Sequence, residues 1–323
     1  MSKLIYITRR IPENGVALLK EKGYTVDVGE KEEAPTHKEL VHALSQKPYD
    51  AVICFLTDEV DAALFDACPT AKIFAQYSVG YNNINIEEAK KRNVVVTNTP
   101  GTSSRAVAEH AVALMLSLTT RTIEGDLFMR ADKYKGWSPY LFNGTDLTGK
   151  TIGLFGGGAI GQEVAAIVHG GFNCPIIYSD VARNSVIEEK YGATYVDKET
   201  LLQTSDIISL HVPLLPSTKH LIDKDALLQM KKSAFLINTS RGPVVDEGAL
   251  IIALTGGLIK GAGLDVYEFE PSVSRELLAL PNVVLTPHIA SSRDSVRQKM
   301  SESVAENVIH FFEKGKGLNE VTV

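Results

Sequence analysis

Six residues near the middle of the chain, Gly156-Gly-Gly-Ala-Ile-Gly161, constrain the fold more than any other segment. Their spacing is G-x-G-x-x-G. An apolar run precedes them at residues 151–155, and a helix-forming run follows at residues 162–168. Glycines are common, so the spacing alone is weak evidence. Its position between a strand and a helix predicts a βαβ unit that binds a dinucleotide.

Each position of this glycine turn has an expected purpose. Gly156 permits the tight turn, Gly158 lets the backbone approach a pyrophosphate, and Gly161 lets the helix pack close to its strand. The backbone N–H groups of Ala159 and Ile160 begin the helix, where the positive end of the helix dipole lies. We therefore expect them to face the phosphates of the ligand.

An acidic residue ends the second strand of the predicted unit. The apolar run at residues 176–179 is followed by Asp180, which lies 19 residues after Gly161. A carboxylate at this place can accept hydrogen bonds from the ribose hydroxyls and would repel the 2′-phosphate of NADP. We therefore predict NAD(H) as the cofactor, preferred over NADP(H), although Arg183 is close enough in sequence to weaken that preference.

Composition excludes several other classes of protein. The net charge of −6 gives no electrostatic reason to bind nucleic acid or an anionic membrane, and no apolar run approaches the ~18 residues of a membrane span. The first eight residues hold only a short apolar core, which is too short for a signal peptide. Cys54, Cys68 and Cys174 lack metal-ligand spacing. We expect a cytoplasmic protein with reduced thiols, no metal site, no nucleic-acid partner and no membrane partner.

Apolar runs and helix-forming runs alternate along the chain, which favours an α/β fold with parallel sheets. The pattern stops over residues 131–149, which we expect to form an arm or loop, and restarts at Lys150. The predicted strands cover residues 4–8, 51–56, 72–76, 94–96, 151–155, 176–179, 206–212, 234–239, 261–266 and 282–286. The predicted helices cover residues 13–22, 86–92, 103–120, 162–168 and 294–312.

The position of the glycine turn predicts how the domains are arranged. The last predicted helix has an apolar stripe on one side, and we expect it to return to the N-terminal layer. The fold class is therefore α/β with two Rossmann-like domains that contain parallel sheets. Residues 1–100 and 290–323 are expected to form a discontinuous substrate domain. Residues 101–289 are expected to form the NAD-binding domain inserted into it.

A second phosphate-binding motif is a chance match. Residues 144–151 read G-x-x-x-x-G-K-T, the spacing of a P-loop. A P-loop needs a strand before the motif and a helix after it. Here a Pro-containing loop precedes the motif and the strand that leads into the glycine turn follows it. We therefore predict no ATP or GTP site at Lys150.

Three charged or titratable residues follow predicted strands of the NAD-binding domain. Arg241, Glu270 and His288 would therefore lie beyond the carboxyl ends of those strands, where doubly wound sheets bind ligands. A nicotinamide cofactor moves a hydride but not the accompanying proton, so reduction of a ketone needs a proton donor. Histidine suits that role, a carboxylate can orient it, and arginine can grip a substrate carboxylate. Taken singly, Glu270 is more typical of a surface carboxylate, whereas for Arg241 a structural ion pair and for His288 a core histidine stay open.

Further blocks of sequence are diagnostic when taken in order. They are Ser-Val-Gly at 78–80, Asn-Thr-Pro-Gly at 98–101, Ala-Val-Ala-Glu-His at 106–110, Ser-Asp-Ile-Ile-Ser-Leu-His-Val-Pro at 205–213, the run from Met230 to Gly242, Gly-Leu-Asp-Val at 263–266 and Thr-Pro-His at 286–288. With the glycine turn, these blocks are similar to those of the D-isomer-specific 2-hydroxyacid dehydrogenases. The resemblance runs from about residue 50 to the end of the chain.

This resemblance implies a role for each reactive residue. Arg241 would bind the carboxylate and keto oxygen of the substrate. His288 would be the acid and base of the reaction, and Glu270 would be its partner. The backbone N–H groups of Val79 and Gly80 would hold the substrate carboxylate.

The resemblance also implies cofactor contacts beyond the glycine turn. Asp265 would meet the nicotinamide amide, with Thr239 nearby. His211, Pro213 and Thr218 would line the adenosine side of the cofactor. His211 already stands at the end of a predicted strand, which agrees with a place beside the cofactor.

The family is similarly built as a homodimer that joins through the NAD-binding domain, with an arm at residues 120–148 around the partner. We expect the same of this chain. The wall of the substrate pocket is expected to include Phe55 and Leu56, with Trp137 or Tyr140 supplied by the partner subunit.

Within the family, the chain looks most like the glyoxylate/hydroxypyruvate reductases, and the expected reaction is NADH-dependent reduction of a small 2-oxo acid to the D-2-hydroxy acid, and the reverse. Two departures stand out: residues 82–85 read Asn-Asn-Ile-Asn where an Asp is often found, and Gly157 stands where a larger side chain is usual. Glycine at 157 is expected to loosen the turn. The alternatives are a D-lactate-type or other D-2-hydroxyacid dehydrogenase, and an NADH-sensing binding protein like the corepressors of this fold.

Overall fold

The computed structural model describes residues 2–321, and the chain divides into two compact units. One unit is Met1–Ser103 with Ser292–Val323, and the other is Ser104–Ser291. The predicted divisions lay after residues 100 and 289. The α/β class with two parallel sheets is confirmed. The role of the first unit as a substrate domain stays a prediction.

The elements are numbered along the described part of the chain. The strands are β1 (Leu4–Ile7), β2 (Thr25–Val28), β3 (Ala51–Cys54), β4 (Ile73–Gln76), β5 (Val95–Thr97), β6 (Ile152–Phe155), β7 (Ile176–Ser179), β8 (Thr194–Tyr195), β9 (Ile207–Leu210), β10 (Phe235–Asn238), β11 (Gly261–Leu264) and β12 (Val283–Leu285). The helices are α1 (Glu13–Glu21), α2 (His37–Ser45), α3 (Ala62–Ala67), α4 (Ile86–Lys91), α5 (Ser104–Thr120), α6 (Thr122–Arg130), α7 (Ala159–Phe172), α8 (Ser185–Tyr191), α9 (Lys198–Thr204), α10 (Lys224–Gln229), α11 (Glu247–Thr255), α12 (Arg275–Leu278) and α13 (Asp294–Lys314).

The first unit contains a five-stranded parallel sheet in the order β2-β1-β3-β4-β5. All residues of β3 and β4 are buried, as expected for central parallel strands that helices cover on both faces. The strand order reverses between β1 and β3. The loops that follow β1, β3 and β4 therefore share one edge of the sheet, since parallel strands end on the same side.

Helix α13 closes the first unit, although it lies at the far end of the sequence. The predicted apolar stripe is buried at Val296, Met300, Val304 and Val308. The helix packs against α1 and β4. A Cβ atom added at Gly15 of α1 would lie only 2.2 Å from the backbone oxygen of Ser301, so the two helix backbones approach closely there.

The second unit contains a seven-stranded parallel sheet in the order β12-β11-β10-β9-β6-β7-β8. Every residue of β6, β9, β10 and β11 is buried. Successive side chains of a strand face opposite sides, and the core reflects this. Leu236 of β10 packs in one hydrophobic cluster, whereas Phe235 and Ile237 pack in another that also contains residues of α5 and α7.

Two parts of the second unit refine the expectations from sequence. The apolar helix α5 packs against α7, β10 and β11, so partners inside its own unit account for its burial. The region expected to be an arm begins with the unpredicted helix α6, which has no buried residue. The P-loop match at 144–151 is followed by β6 and not by a helix, as argued from its context. Among the described helices, none is both long and apolar enough to cross a membrane.

Candidate active site

The turn between β6 and α7 requires glycine at two positions for reasons within the protein. Gly156 has a φ of +98°, and a Cβ there would lie 2.8 Å from the backbone oxygen of His211. A Cβ at Gly161 would lie 2.2 Å from the oxygen of Gly156, so α7 sits directly against the turn. At Gly158 no atom lies within 4 Å of the added Cβ. No contact within the protein therefore requires glycine at 158. A ligand that lies against this backbone would require it, because a Cβ would keep the ligand away.

The start of α7 differs from the starts of the next four helices. Gly158 caps α7 and offers no side-chain acceptor. Four later helices, α8 to α11, begin with an Asn or Asp side chain that accepts a hydrogen bond from their first turn. The first N–H groups of any α-helix lack partners within the helix. Those of α7, which include Ala159 and Ile160, fit an anionic ligand.

Asp180, immediately after β7, braces the glycine turn. Its Oδ2 accepts a hydrogen bond from the N–H of Gly157 at 2.8 Å, and its Oδ1 accepts one from the N–H of Val181 at 2.7 Å. The carbonyl of Gly157 accepts a hydrogen bond from Asn184 at 2.9 Å. The ring of Tyr178 would lie 3.0 Å from a Cβ at position 157. The ring therefore takes the space of a larger side chain, and hydrogen bonds oppose the looseness expected of this glycine.

Buried polar atoms without partners mark the edge of the sheet beyond β9 and β10. Both ring nitrogens of His211 are buried without a hydrogen-bond partner in residues 2–321, and so is the hydroxyl of Thr239. Burial lowers the pKa of His211 to about 3, so its ring is neutral at working pH. His211 also borders Gly156, where the strand order reverses between β6 and β9. Unpartnered buried donors and acceptors are rare in folded proteins, and these fit a polar ligand beyond the strand ends.

Thr218 shapes the loop after β9. Its hydroxyl donates to the carbonyl of Pro213 at 2.6 Å and accepts from the N–H of Leu215 at 2.8 Å. The contacts of Pro213 and Thr218 with the adenosine side of a cofactor stay predictions.

Arg241 follows β10 and is partly buried. Its guanidinium donates to the carbonyl of Ser240 at 2.7 Å. Burial lowers the pKa of Arg241, and the negative charge of Glu270 opposes that effect. A Cβ at Gly242 would lie 1.8 Å from the carbonyl oxygen of Tyr267. Only glycine therefore lets the loop that carries Arg241 lie against the loop that carries Glu270.

Glu270 and His288 form a hydrogen-bonded pair. The Nδ1 of His288 lies 3.0 Å from Oε2 of Glu270, and the other oxygen of Glu270 accepts a hydrogen bond from the N–H of Tyr267 at 2.9 Å. Glu270 therefore engages the Nδ1 atom of His288, and the side chain of His288 is partly exposed. The structure therefore brings Glu270 and His288 together at the ends of the adjacent strands β11 and β12, with Arg241 at the end of β10.

Asp265 holds the segment that carries His288, a contribution that sequence reasoning missed. Its carboxylate accepts hydrogen bonds from the N–H groups of Ile289 and Ala290, each at 2.8 Å, and from the hydroxyl of Thr286 at 2.6 Å. His288 has a φ of +54°, which is unfavourable for a residue with a side chain. The bonds to Asp265 therefore stabilise a strained backbone at His288.

The charge of Asp265 is stabilised by its surroundings. Burial alone would raise its pKa, but hydrogen bonds from His110, Thr286, Ile289 and Ala290 hold the pKa below the ordinary value. The Nε2 of His110 also lies 2.9 Å from the hydroxyl of Thr286. A contact of Asp265 with a nicotinamide amide stays a prediction.

The predicted substrate residues of the first unit lie on loops at one edge of its sheet. Leu56 follows β3, and Val79 and Gly80 follow β4. Their contacts with a substrate stay predictions. Among residues 2–321, no group of three or more His, Cys, Asp or Glu residues could hold a metal ion.

Comparison with known proteins gives consistent matches. A family profile described as "D-isomer specific 2-hydroxyacid dehydrogenase, NAD binding domain" matches residues 112–290. The glyoxylate reductase of Thermococcus litoralis is 48% identical over 315 residues, which cover 96% of this chain and 94% of that protein. The match to the profile covers most of the second unit, which binds a nicotinamide cofactor.

Solved structures are similar over nearly the whole chain. A protein from Thermus thermophilus has a TM-score of 0.91 and 36% identity, with 99% of this chain and 100% of that chain covered. The NADPH-dependent glyoxylate/hydroxypyruvate reductase of Sinorhizobium meliloti, solved with NADP and malonate, has a TM-score of 0.86 and 30% identity, with 100% and 97% covered.

The two glycine environments predict different effects of the same substitution. Gly161→Ala should lower the free energy of unfolding by about 1–3 kcal/mol, because its Cβ overlaps a backbone oxygen. Gly158→Ala should leave the unfolding midpoint nearly unchanged and weaken NADH binding at least about tenfold, a loss of about 1.4 kcal/mol. Thermal unfolding and NADH fluorescence titration measure the two effects. Unchanged NADH affinity in folded Gly158→Ala would contradict a phosphate contact at this backbone.

Proposed function

Because the chain belongs to the D-isomer specific 2-hydroxyacid dehydrogenase family, we propose that it reduces a small 2-oxo acid of the glyoxylate or hydroxypyruvate type to the D-2-hydroxy acid with NADH, and catalyses the reverse. It is an oxidoreductase that acts on CH–OH donors. The observation that carries the proposal is the group Arg241, Glu270 and His288 at the ends of β10, β11 and β12. The names of the relatives support a glyoxylate-type substrate.

His288 supplies the proton in this proposal. A nicotinamide cofactor, when bound, would supply the hydride for the carbonyl carbon, and the carbonyl oxygen would need a proton from the protein. Glu270 engages Nδ1 of His288, which leaves Nε2 as the ring nitrogen for the substrate oxygen. The carboxylate of Glu270 on Nδ1 orients the imidazole, so that Nε2 can donate its proton to the substrate oxygen. In the reverse direction, the neutral ring accepts the hydroxyl proton.

Arg241 binds the substrate in this proposal. A guanidinium has a planar set of donors that can hold a carboxylate and a neighbouring oxygen together, as a 2-oxo acid requires. Its partial burial strengthens that attraction, because less solvent screens the charges. The N–H groups of Val79 and Gly80 are proposed as further donors to the same carboxylate.

A substrate panel with His288→Ala tests this assignment. We expect NADH oxidation with glyoxylate, hydroxypyruvate or pyruvate. We also expect kcat to fall by about 10²–10⁴-fold in His288→Ala, since general acid–base catalysis contributes that much. NADH affinity should stay unchanged. His169→Ala, an exposed histidine of α7, is the matched control and should keep full activity.

The same panel separates the alternatives. Turnover of pyruvate alone would favour a D-lactate-type enzyme. Intact NADH binding without turnover of any 2-oxo acid would favour an NADH-sensing binding protein and would contradict the proposal. If His288→Ala loses NADH binding, the lost binding alone would account for any loss of turnover. That outcome would contradict the role of His288 as a proton donor.

We propose that NADH is preferred over NADPH because of Asp180. Its carboxylate would stand next to the extra phosphate of NADPH and repel it. The kcat/KM with NADH should exceed that with NADPH by about tenfold or more. Asp180→Ala should lower this NADH-to-NADPH ratio. Asp223→Ala, which removes a carboxylate that caps α10, is the control and should leave the ratio unchanged. The Sinorhizobium relative is NADPH-dependent, so a ratio that favours NADPH is the contrary outcome.

We propose a homodimer that joins through the second unit. Large apolar side chains are exposed between residues 122 and 142, including Leu127 at 60%, Trp137 at 82% and Tyr140 at 85% exposure. Such a patch usually marks a contact surface. Analytical ultracentrifugation should show a dimer, and Leu127→Arg should shift it towards monomer. A monomeric parent protein at micromolar concentration would contradict this proposal.

A further inference from the structure

Three side-chain amides hold the loop after β4, and we infer that they are positioning residues for substrate binding. Gln76, Asn83 and Asn98 bind the backbone and side chains of this loop, and they aim the N–H groups of Val79 and Gly80 at the substrate carboxylate. In residues 2–321, neither of these N–H groups has a backbone hydrogen-bond acceptor. The inference rests on the proposed function, because it takes the 2-oxo acid as the ligand of these donors.

Asn98 sets the direction of the N–H group of Gly80. Its Nδ2 donates to the carbonyl oxygen of Val79 at 2.7 Å. That carbonyl and the N–H of Gly80 belong to one planar trans peptide, so they point in opposite directions. The backbone N–H of Thr99 binds the carbonyl of Ser78 at 3.0 Å and fixes the N–H of Val79 in the same way. Both donors therefore point away from residues 98 and 99.

Gln76 fixes the next peptide from the end of β4, where it is fully buried. Its Nε2 donates to the hydroxyl of Ser78 and to Oδ1 of Asn83, each at 2.9 Å, and lies 3.2 Å from the carbonyl oxygen of Gly80. The hydroxyl of Ser78 donates in turn to the carbonyl of Gly80 at 2.5 Å. The loop thus cannot rotate its peptides without breaking several hydrogen bonds.

Asn83 connects this loop to the loop that carries Leu56. Its Nδ2 donates to the carbonyl of Phe55 at 3.0 Å and to the carbonyl of Asp58 at 2.8 Å. Carbonyl oxygens can only accept hydrogen bonds, so the amide nitrogen of Asn83 must face these two carbonyls. The amide oxygen of Asn83 then faces Gln76. An aspartate of the same size could not donate these bonds. The two loops are therefore held in one arrangement by an amide that an Asp cannot replace.

Fixed donors matter here because the ligand is small. A carboxylate binds two backbone N–H groups strongly only if both already point at it, since the loop would otherwise lose entropy on binding. The carboxylate is the same in substrate and product. Its contacts should therefore contribute to binding of both ground and transition states, and a disturbed loop should raise KM more than it lowers kcat.

Asn98→Asp and Asn83→Asp test the inference, because each keeps the size of the side chain and removes its donors. We expect KM for the 2-oxo acid to rise about tenfold or more, as loss of hydrogen bonds around a charged ligand implies, with kcat within about threefold of the parent. The dissociation constant of NADH should not change. Asn85→Asp is the matched control, since Asn85 accepts a hydrogen bond at the start of α4 and an aspartate does so equally well. It should leave KM unchanged.

Other outcomes would overturn the inference. Parent-like KM in folded Asn98→Asp and Asn83→Asp, with turnover intact, would refute positioning while the proposed function stands. An equal loss of kcat, NADH affinity and melting temperature would show a structural role only. A parent protein that binds NADH but turns over no 2-oxo acid would refute the proposed function, and the inference would fall with it.

Discussion

The hydrogen bonds to the carboxylate of Asp265 are the interaction on which the candidate site of the second unit depends. This carboxylate accepts hydrogen bonds from Thr286, Ile289 and Ala290, so it fixes the backbone on both sides of His288. That backbone is strained, because His288 has a positive φ. Once His288 is fixed, Glu270 can orient its ring from the neighbouring strand end. The charge on Asp265 is retained because four donors together outweigh the cost of its burial.

The parallel sheet explains why such distant residues meet. Parallel strands end on one side, so loops after β6, β9, β10, β11 and β12 share one edge although about 130 residues separate the first loop from the last. Glycines then set how closely the loops approach, as the contact between Gly242 and the carbonyl of Tyr267 illustrates. The first unit repeats this design, with polar amides in place of carboxylates. Its loops are shaped by groups that bind backbone carbonyls and leave N–H groups available.

The sequence predicted those elements that have a continuous apolar run with clear helix- or strand-ending residues on either side. The central strands β3, β4, β6, β9 and β10 were recognisable because both faces are buried. Strand β2 was missed because it lies at the edge of its sheet and none of its residues is fully buried. Helix α6 was missed because it has no buried face and so no apolar stripe. The pairing of Glu270 with His288 followed from chemistry and strand ends. The support that Asp265 gives to the segment around His288 depends on hydrogen bonds from backbone N–H groups. No sequence pattern reveals such bonds.

The uncapped start of α7 has a consequence for the folded state as a whole. Helices α8 to α11 carry their own acceptor for the first turn, whereas α7 begins at a glycine and lacks one. A phosphate bound there would complete the helix. Folding and cofactor concentration are then linked, because any ligand that binds only the native state stabilises it by RT ln(1 + [L]/Kd). The free energy of unfolding of the second unit would then rise with the concentration of a nucleotide that binds at this helix start.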